Sequence, residues 1–241
     1  MFLNILLPVY NEERRLERGV AGTIAYMESI GYTDYMITIE DNASADSTEK
    51  IAKELCERYP QVHYDRLEIK GVGAAFRSGV AHNTCDIVGY MDIDLSTDVR
   101  HLKQVIGSFK KYPELDMVNG SRWSKKSDTQ GRKWYRNLSS YGLTFMLKVF
   151  LKMKASDSIC GFKFFRKDYV EELIEESGDE AGWFFLIELL LRGERKHAHI
   201  AELPVRWQDD YDSKVDYVKV IRNYLSNICR LRRQFKKEGI F

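Results

Sequence analysis

The sequence contains few prolines and no long apolar run. Only 4 of its 241 residues are proline, which leaves little room for a disordered tether between domains. No run of roughly 18 apolar residues occurs, so we expect no segment that spans a bilayer. Asn4 and Pro8 interrupt the short apolar start, and we therefore expect no signal peptide. These absences predict a globular protein in which no segment crosses a membrane.

A strong charge of one sign is also missing. The chain has 37 Lys and Arg against 36 Asp and Glu, a net charge of +1, so it lacks the basic field typical of nucleic-acid-binding proteins. Its four cysteines are widely separated and form no C-x-x-C pair. This spacing favours reduced, mostly buried thiols in a cytoplasmic protein, with a zinc site as the lesser alternative.

The chain instead alternates short apolar runs with amphipathic stretches. The pattern predicts strands at 2–7, 35–40, 62–66, 86–91, 115–120, 162–166 and 197–204. It predicts helices at 12–30, 46–58, 72–83, 98–111, 134–153, 168–174, 182–193 and 214–237. Such alternation indicates a single α/β domain with a mostly parallel central sheet and helices on both faces. We place the domain at 1–213 and an amphipathic, basic C-terminal helix at 214–241.

Acidic side chains follow the predicted strand 86–91. Asp92 and Asp94 form a D-x-D, and residues at i and i+2 of an extended chain point the same way. Both carboxylates can therefore reach one Mg²⁺ or Mn²⁺, which prefer oxygen ligands. Mg²⁺ usually completes its shell with phosphate oxygens, so the pair suggests a diphosphate ligand. The alternative is a solvated cap or turn.

A second polar group follows the predicted strand 35–40. Asp41 and Ser44 lie at its carboxyl end, and ligands of open α/β sheets bind in that crevice. Helix capping would explain the same two residues. Nucleotide binding and capping both remain open at this point.

Eight motifs together resemble those of the inverting nucleotide-sugar glycosyltransferases of the GT-A fold. They are P-V-Y-N-E at 8–12, D-N-x-S-x-D-S-T at 41–48, G-x-G-A-A-x-R-x-G at 71–79, the D-x-D, G-S-R at 120–122, D-x-x-C-G-F-K at 157–163, W-x-F-x-x-E-L-L at 183–190, and E-x-P-V-x-W at 202–207 followed by S-K-V. The later motifs resemble the branch that moves a sugar onto dolichyl or another polyprenyl phosphate. The resemblance spans roughly residues 2–216.

The resemblance implies a role for each matched position. The nucleotide-sugar would contact Pro8, Tyr10, Glu12, Asp41, Ser44, Gly71 and Gly73. The acceptor phosphate would contact Arg122, Arg136, Ser140 and Arg206, with Ser213 and Lys214 in a loop near the diphosphate. The metal would be held by Asp92 and Asp94, the catalytic D-x-D, with Ser96 as a further ligand. Asp157 and Glu188 are the remaining carboxylates that could act in catalysis, although Asp157 could instead hold the loop before Cys160.

The sequence departs from the family pattern at three places. Val72 stands where the family has lysine, Ser96 where the relatives often have glutamine, and Leu186 where they have an aspartate. A phosphate acceptor is already an anion and needs no base, whereas a sugar hydroxyl does. Leu186 therefore favours polyprenyl phosphate, and a soluble or surface polysaccharide acceptor is the alternative. We expect a UDP-sugar donor, with GDP-mannose as the second choice.

Two other classes of function compete with a transferase. A non-catalytic nucleotide-sugar or polysaccharide-binding protein could share the scaffold, but the presence of both Asp92 and Asp94 favours an enzyme. A nucleotidyltransferase would carry a glycine-rich phosphate loop after the first strand, and residues 8–11 are not such a loop.

Two amphipathic segments bear on where the protein works. The stretch 134–153 has an apolar face beside lysines, and the stretch 214–237 ends in arginines and lysines. A basic amphipathic helix can bind an anionic membrane surface, and it can equally pack on its own domain. We expect a cytoplasmic protein that contacts the inner face of a membrane peripherally.

Overall fold

The computed structural model describes residues 1–131, 134–208 and 217–239, without the side chains of 134–139 and 217–220. The first half of this part contains β1 (Leu3–Val9), α1 (Leu16–Ser29), β2 (Tyr35–Asn42), α2 (Thr48–Arg58), β3 (Val62–Leu67), α3 (Val72–Ala81), β4 (Ile87–Met91), α4 (His101–Lys111) and β5 (Met117–Ser121). The second half contains β6 (Asp128–Gln130), α5 (Trp134–Leu151), β7 (Phe162–Arg166), α6 (Lys167–Glu175), α7 (Phe184–Arg195), β8 (Ile200–Pro204), β9 (Arg206–Gln208) and α8 (Tyr217–Lys237).

The central sheet has seven strands in the order β3-β2-β1-β4-β7-β5-β8. Six of them run parallel to a neighbour, in the β3-β2-β1-β4 and β5-β8 blocks, and β7 runs antiparallel to both β4 and β5. A short parallel pair, β6 and β9, lies outside this sheet. The predicted mostly parallel sheet is confirmed.

Helices cover both faces of the sheet, as predicted. One core joins Leu3, Ile5 and Leu7 of β1 to apolar side chains of α1, α2 and α4. The other joins Leu6, which points to the opposite face, to side chains of α3, α5, α6, α7 and α8. Strands covered on both faces read as continuous apolar runs, because neither set of alternate side chains meets water. This explains why β1 and β4 show no polar alternation.

The direction of β7 determines what surrounds the end of β4. Because the pair is antiparallel, Met91 at the end of β4 lies opposite Phe162 at the start of β7. The loop that precedes β7 therefore meets the residues that follow β4. The sequence predicted the strand at 162–166, and its local pattern carried no information on direction.

Several predicted boundaries differ from the structure. Helix α1 begins at Leu16 and not at residue 12, and β8 begins at Ile200 and not at 197. The short strands β6 and β9 were not predicted, since three-residue strands are too short to show alternation.

Helix α8 packs one face on the second core and exposes the other. Tyr224, Ile228, Leu231 and Phe235 are buried in that core. Ile221 and Leu225 are 47% and 45% exposed. Among the helices of residues 1–131, 134–208 and 217–239, none combines the length and the apolar character needed to cross a membrane.

Candidate active site

The D-x-D forms a tight turn at the carboxyl end of β4. Leu95 has a φ of +57°, and its amide donates to the Asp92 carbonyl at 3.2 Å. The Ser96 amide donates to Asp94 Oδ1 at 2.8 Å. The turn thus fixes the orientation of Asp94 and leaves its second carboxylate oxygen for another partner. Ser96 itself is 7% exposed and follows directly.

Gly161 lies against the Asp92 carboxylate. The Asp92 amide donates to the Gly161 carbonyl at 3.2 Å. A Cβ built at Gly161 would lie 2.0 Å from Asp92 Oδ2, which is far inside van der Waals contact. Only glycine lets the loop before β7 pass so close to this carboxylate.

Asp92 is in an unfavourable electrostatic environment. Its carboxylate has no hydrogen-bond partner within the part of the chain that the structure describes. Burial, followed by the charge of Asp94, raises the pKa of Asp92 to about 7, while Arg122 and Lys163 oppose the shift. Glu12 raises this pKa too, so the first loop and the D-x-D lie within electrostatic range of each other.

The donor set fits a hard divalent cation. The charge of Asp94 raises the pKa of Asp92, so a cation beside the two carboxylates is favoured, and oxygen ligands suit Mg²⁺ or Mn²⁺. Within the described ranges, no group of three His, Cys, Asp or Glu side chains could hold a metal. Asp92 and Asp94 would therefore share the ion with water, with a diphosphate, or with the hydroxyl of Ser96.

Asp157 forms a bidentate ion pair with Arg122. Arg122 Nε and Nη2 donate to Asp157 Oδ2 and Oδ1 at 2.7 and 3.0 Å. The amides of Arg122 and Ile159 donate to the same carboxylate at 3.1 and 3.0 Å. Burial alone would raise the pKa of Asp157, but the guanidinium lowers it to about 2.

This pair bears on two expectations. A carboxylate with both oxygens occupied holds the loop before Cys160, as the alternative interpretation had it, and is not placed to accept a proton as a base. Arg122 is 7% exposed and bidentate to Asp157, and its contact with an acceptor phosphate stays a prediction.

Lys163 is a site residue that sequence reasoning did not single out. It is 0% exposed, and its Nζ donates to Asn119 Oδ1 at 2.7 Å and to the Cys160 carbonyl at 2.9 Å. Its positive charge lies near Asp92. The C-G-F-K motif contained the signal, because a lysine inside an apolar strand is costly to bury unless it is paired.

The first two strand-end loops are bonded to each other. Asn11 has a φ of +54°, and its amide donates to Ser44 Oγ at 2.9 Å. The Asn11 side chain accepts from the Ala45 amide at 2.8 Å. Asp41 is 0% exposed and accepts from the Ser44 amide and the Tyr64 hydroxyl, both at 2.8 Å. Asp41 and Ser44 therefore organise the loop and do not cap α2, whose N-cap residue is Ser47, and their contact with a nucleotide stays a prediction.

Asn42 ties a third segment to these loops. Its side chain donates to the Val9 carbonyl at 3.1 Å and accepts from the Gly71 amide at 3.2 Å. Nearby, Lys70 Nζ lies 3.3 Å from the centroid of the Tyr10 ring, which is 40% exposed. The structure thus brings Pro8, Tyr10, Glu12 and the start of α3 to the same edge of the sheet.

The glycines at the start of α3 lie close to the chain itself. A Cβ at Gly71, where φ is +155°, would lie 2.1 Å from the Ala181 carbonyl oxygen. A Cβ at Gly73 would lie 2.6 Å from the Gly182 carbonyl oxygen. These contacts supply a packing reason for both glycines, and their contact with a nucleotide stays a prediction.

The predicted acceptor residues lie in different environments. Arg206 is exposed and pairs with Asp128 at 3.5 Å, whereas the next residue, Trp207, is buried with its ring 5.6 Å from the Arg122 guanidinium. Ser140 is buried in α5. The side chain of Arg136, and all of Ser213 and Lys214, lie outside the described residues.

Glu188 lies inside the helical layer and is 0% exposed. Its Oε1 accepts from the Gly178 amide at 3.2 Å and from Arg192 Nε at 3.1 Å. Its Oε2 accepts from Arg230 Nη2 at 2.5 Å. A base needs access to the acceptor, and this carboxylate is enclosed by two arginines, so the structure places Glu188 in a structural ion pair.

Comparison with known proteins agrees with the resemblance seen in the motifs. A family model described as glycosyl transferase family 2 matches residues 4–174. Glycosyltransferase AglD of Haloferax volcanii is 31% identical over 230 residues, which cover 95% of this chain and 36% of AglD. Human dolichyl-phosphate beta-glucosyltransferase is 27% identical over 228 residues, which cover 88% of this chain and 69% of the human protein. The chain thus spans about a third of one relative and about two thirds of the other.

Solved structures share the fold at low identity. Glucosyl-3-phosphoglycerate synthase from Mycobacterium tuberculosis, in complex with Mn²⁺ and uridine-diphosphate-glucose, superimposes with a TM-score of 0.69 at 16% identity. The match covers 96% of this chain and 78% of that one. Since the family model matches most of the sequence and AglD is similar along nearly all of it, this chain belongs to glycosyl transferase family 2.

Proposed function

We propose that this protein transfers a sugar from a nucleoside-diphosphate sugar to a polyprenyl phosphate, with inversion at the transferred carbon. The observation that carries the proposal is the pair Asp92 and Asp94 at the end of β4, within electrostatic range of Glu12 in the first loop. This arrangement suits a metal-bound diphosphate. The similarity to a dolichyl-phosphate beta-glucosyltransferase supports the acceptor class.

A UDP-sugar is the donor that we favour. The human relative is named a glucosyltransferase, and the structural neighbour binds uridine-diphosphate-glucose with Mn²⁺. In this chain Asn11, Asp41 and Asn42 hold the two loops that would surround the nucleotide. GDP-mannose is the competing donor.

Mg²⁺ or Mn²⁺, held by Asp92 and Asp94, would stabilise the negative charge that develops on the leaving diphosphate. The protein's own contribution is to fix the two carboxylates. The Ser96 amide orients Asp94, and Gly161 sets the position of Asp92. Lys163 supplies a buried positive charge near Asp92 that offsets part of the repulsion.

The absence of an available base at the positions considered supports a phosphate acceptor. A hydroxyl acceptor must lose a proton to a positioned carboxylate, whereas phosphate attacks as an anion. Asp157 and Glu188 are both engaged by arginines. Leu186, at the third position, is apolar and 1% exposed.

An exposed apolar surface on α5 supports contact with a membrane. Tyr141, Phe145 and Val149 are 53%, 68% and 55% exposed and repeat every four residues, so they share one face. Exposed Lys148 and Lys152 flank that face. Apolar side chains beside lysines match the boundary of an anionic bilayer. The acceptor would then be reached peripherally from the cytoplasmic side.

The surface continues at both ends. Tyr141 stacks on Trp123, with ring centroids 4.5 Å apart, so the α5 face begins next to the loop that holds Arg122. At the other end the Arg232 guanidinium of α8 lies 5.6 Å from the Phe150 ring. A lipid tail lying along α5 would place its phosphate near the D-x-D end of the sheet.

A transfer assay with labelled donors tests the proposal. Wild type with Mn²⁺ should convert UDP-glucose and polyprenyl phosphate in detergent into a lipid product, and EDTA should abolish it. Asp94→Asn should be inactive. The control Asp168→Asn changes an exposed carboxylate in the first turn of α6, at the opposite end of β4, and should be active.

Other outcomes distinguish the alternatives. Transfer to a sugar hydroxyl, with no product from polyprenyl phosphate, would establish the polysaccharide acceptor. Nucleotide binding without turnover on either acceptor would indicate a non-catalytic binding protein. Product formation at the same rate with EDTA would reject the metal assignment.

A further inference from the structure

We propose that the C-terminal helix α8 holds the donor loops in place through the ion pair between Arg230 and the buried Glu188. Glu188 is then a positioning residue for nucleotide-sugar binding and not a catalytic one. The donor part of this inference rests on the proposed function. A series of contacts connects α8 to the first loop.

The first link is residues 178–182, here called the buttress segment. The Gly178 amide donates to Glu188 Oε1 at 3.2 Å, and its carbonyl accepts from Arg77 Nη2 at 2.7 Å. A Cβ at Gly178 would lie 2.5 Å from Arg230 Nη1. One residue is therefore held by α3, α7 and α8 together, and it has no free space on the side of α8.

The second link joins the buttress segment to the first turn of α3. The Ala74 amide donates to the Ala181 carbonyl at 3.0 Å. Gly71 and Gly73 pack so closely on Ala181 and Gly182 that neither position has room for a Cβ. A shift of the buttress segment must therefore move the start of α3.

The third link joins α3 to the donor loops. The Gly71 amide is held by the Asn42 side chain, which also donates to the Val9 carbonyl. Val9 immediately precedes Tyr10 and Glu12, the predicted nucleotide-sugar residues. Hydrogen bonds, an ion pair and close packing contacts thus connect α8 to this loop.

A substitution at Arg230 interrupts this series of contacts with the least disturbance of the fold. Glu188 is also bound by Arg192, which is 3% exposed at its side chain, so the carboxylate keeps one cationic partner when Arg230 is removed. The Arg230 side chain is 36% exposed, and truncation there leaves no large cavity. Arg230→Ala should therefore release the link to α8 while the fold persists.

Hydrogen exchange with mass spectrometry tests the link without a ligand. Arg230→Ala should accelerate exchange about fivefold or more in peptides covering 71–75 and 178–185, and leave β7 unchanged. The matched control is Arg58→Ala on α2, which breaks an exposed ion pair with Glu17 of α1 and should leave both peptides as in wild type. Unchanged exchange in Arg230→Ala would overturn the inference.

Calorimetric titration with UDP and Mn²⁺ tests the consequence for the donor. Arg230→Ala and Glu188→Gln should bind UDP about 5–10-fold more weakly, the size of a modest coupling energy. Their kcat at saturating donor, and its pH profile, should match wild type. Faster exchange with unchanged UDP affinity would contradict the positioning role, and a kcat loss of 10²-fold or more in Glu188→Gln would indicate a base.

The proposed function can fail separately. If the wild type binds neither UDP nor GDP, the donor assignment is rejected together with the donor part of this inference. The exchange data would still decide whether α8 holds the start of α3.

Discussion

Arg122 donates hydrogen bonds to both carboxylate oxygens of Asp157, at 2.7 and 3.0 Å. This bidentate pair is buried between β5 and the loop before β7. The pair joins two motifs that lie far apart in sequence. It also fixes the loop whose Gly161 lies against the carboxylate of Asp92, the proposed metal ligand.

Asp157→Asn should destabilise the fold by about 3–5 kcal/mol, because it leaves a buried guanidinium without its counter-charge. Urea unfolding measures the difference. The exposed carboxylate change Asp168→Asn should stay within about 0.5 kcal/mol of wild type. If Asp157→Asn kept full stability and lost only its turnover rate, Asp157 would be a base after all.

Gly161→Ala should lower transfer by about 10²-fold, since the new Cβ would displace the Asp92 carboxylate, and a misplacement of 1 Å can cost that much. The same variant should bind Mn²⁺ more weakly. Gly107→Ala is the matched control, because nothing lies within 4 Å of a Cβ there and the position is in the middle of α4. It should be fully active and slightly more stable.

Glu40 should make the protein less stable as the pH rises. The side chain is 0% exposed, and neither of its oxygens has a hydrogen-bond partner in the described part of the chain. Burial, followed by the charge of Asp65, raises the pKa of Glu40 from 4.5 to about 8. Between these values the folded state binds more protons than the unfolded state, so stability falls by about 1.4 kcal/mol per pH unit.

Glu40→Gln should remove this slope. Chemical unfolding at several values between about pH 5 and about pH 8 gives the free energy of unfolding of both proteins. The wild type should lose stability relative to the variant as the pH rises. Glu57→Gln, an exposed change on α2, should keep the wild-type slope, and parallel curves for wild type and Glu40→Gln would contradict the prediction.

Phe145→Ser combined with Val149→Ser should weaken binding to vesicles that contain anionic phospholipid, because both side chains belong to the exposed face of α5. The KM for the polyprenyl phosphate should rise while UDP affinity stays constant. Tyr112→Ser, which removes another exposed ring just after α4, serves as the control. Equal sedimentation with vesicles for all three proteins would reject the membrane surface.

The alternation of apolar runs was sufficient to predict the α/β class and most elements, because β1, β4 and β5 are buried along nearly their whole length. The local pattern could not predict the direction of a strand relative to its neighbours in the sheet. The run 162–166 reads the same whether it pairs parallel or antiparallel with β4, and the choice depends on tertiary packing.

The site was predictable where chemistry demands a residue type, as at Asp92 and Asp94. The site was not predictable where a side chain acts by holding another part of the protein in place. Asn42, Lys163 and Trp207 act through buried partners that lie far away in sequence. Gly71 and Gly73 also leave the space that the buttress segment fills, a packing role that the sequence did not predict.

The antiparallel pairing of β7 also affects the order in which the parts of the site form during folding. Asp92 follows β4 in the first half of the sequence. The loop with Gly161, which lies against the Asp92 carboxylate, comes much later in the sequence. Pairings between distant segments close large loops and form slowly. The βαβ units of the first half can therefore assemble before the acidic pair has its final neighbours. The site should acquire its metal affinity only when β7 inserts between β4 and β5, which makes cation binding a late reporter of folding.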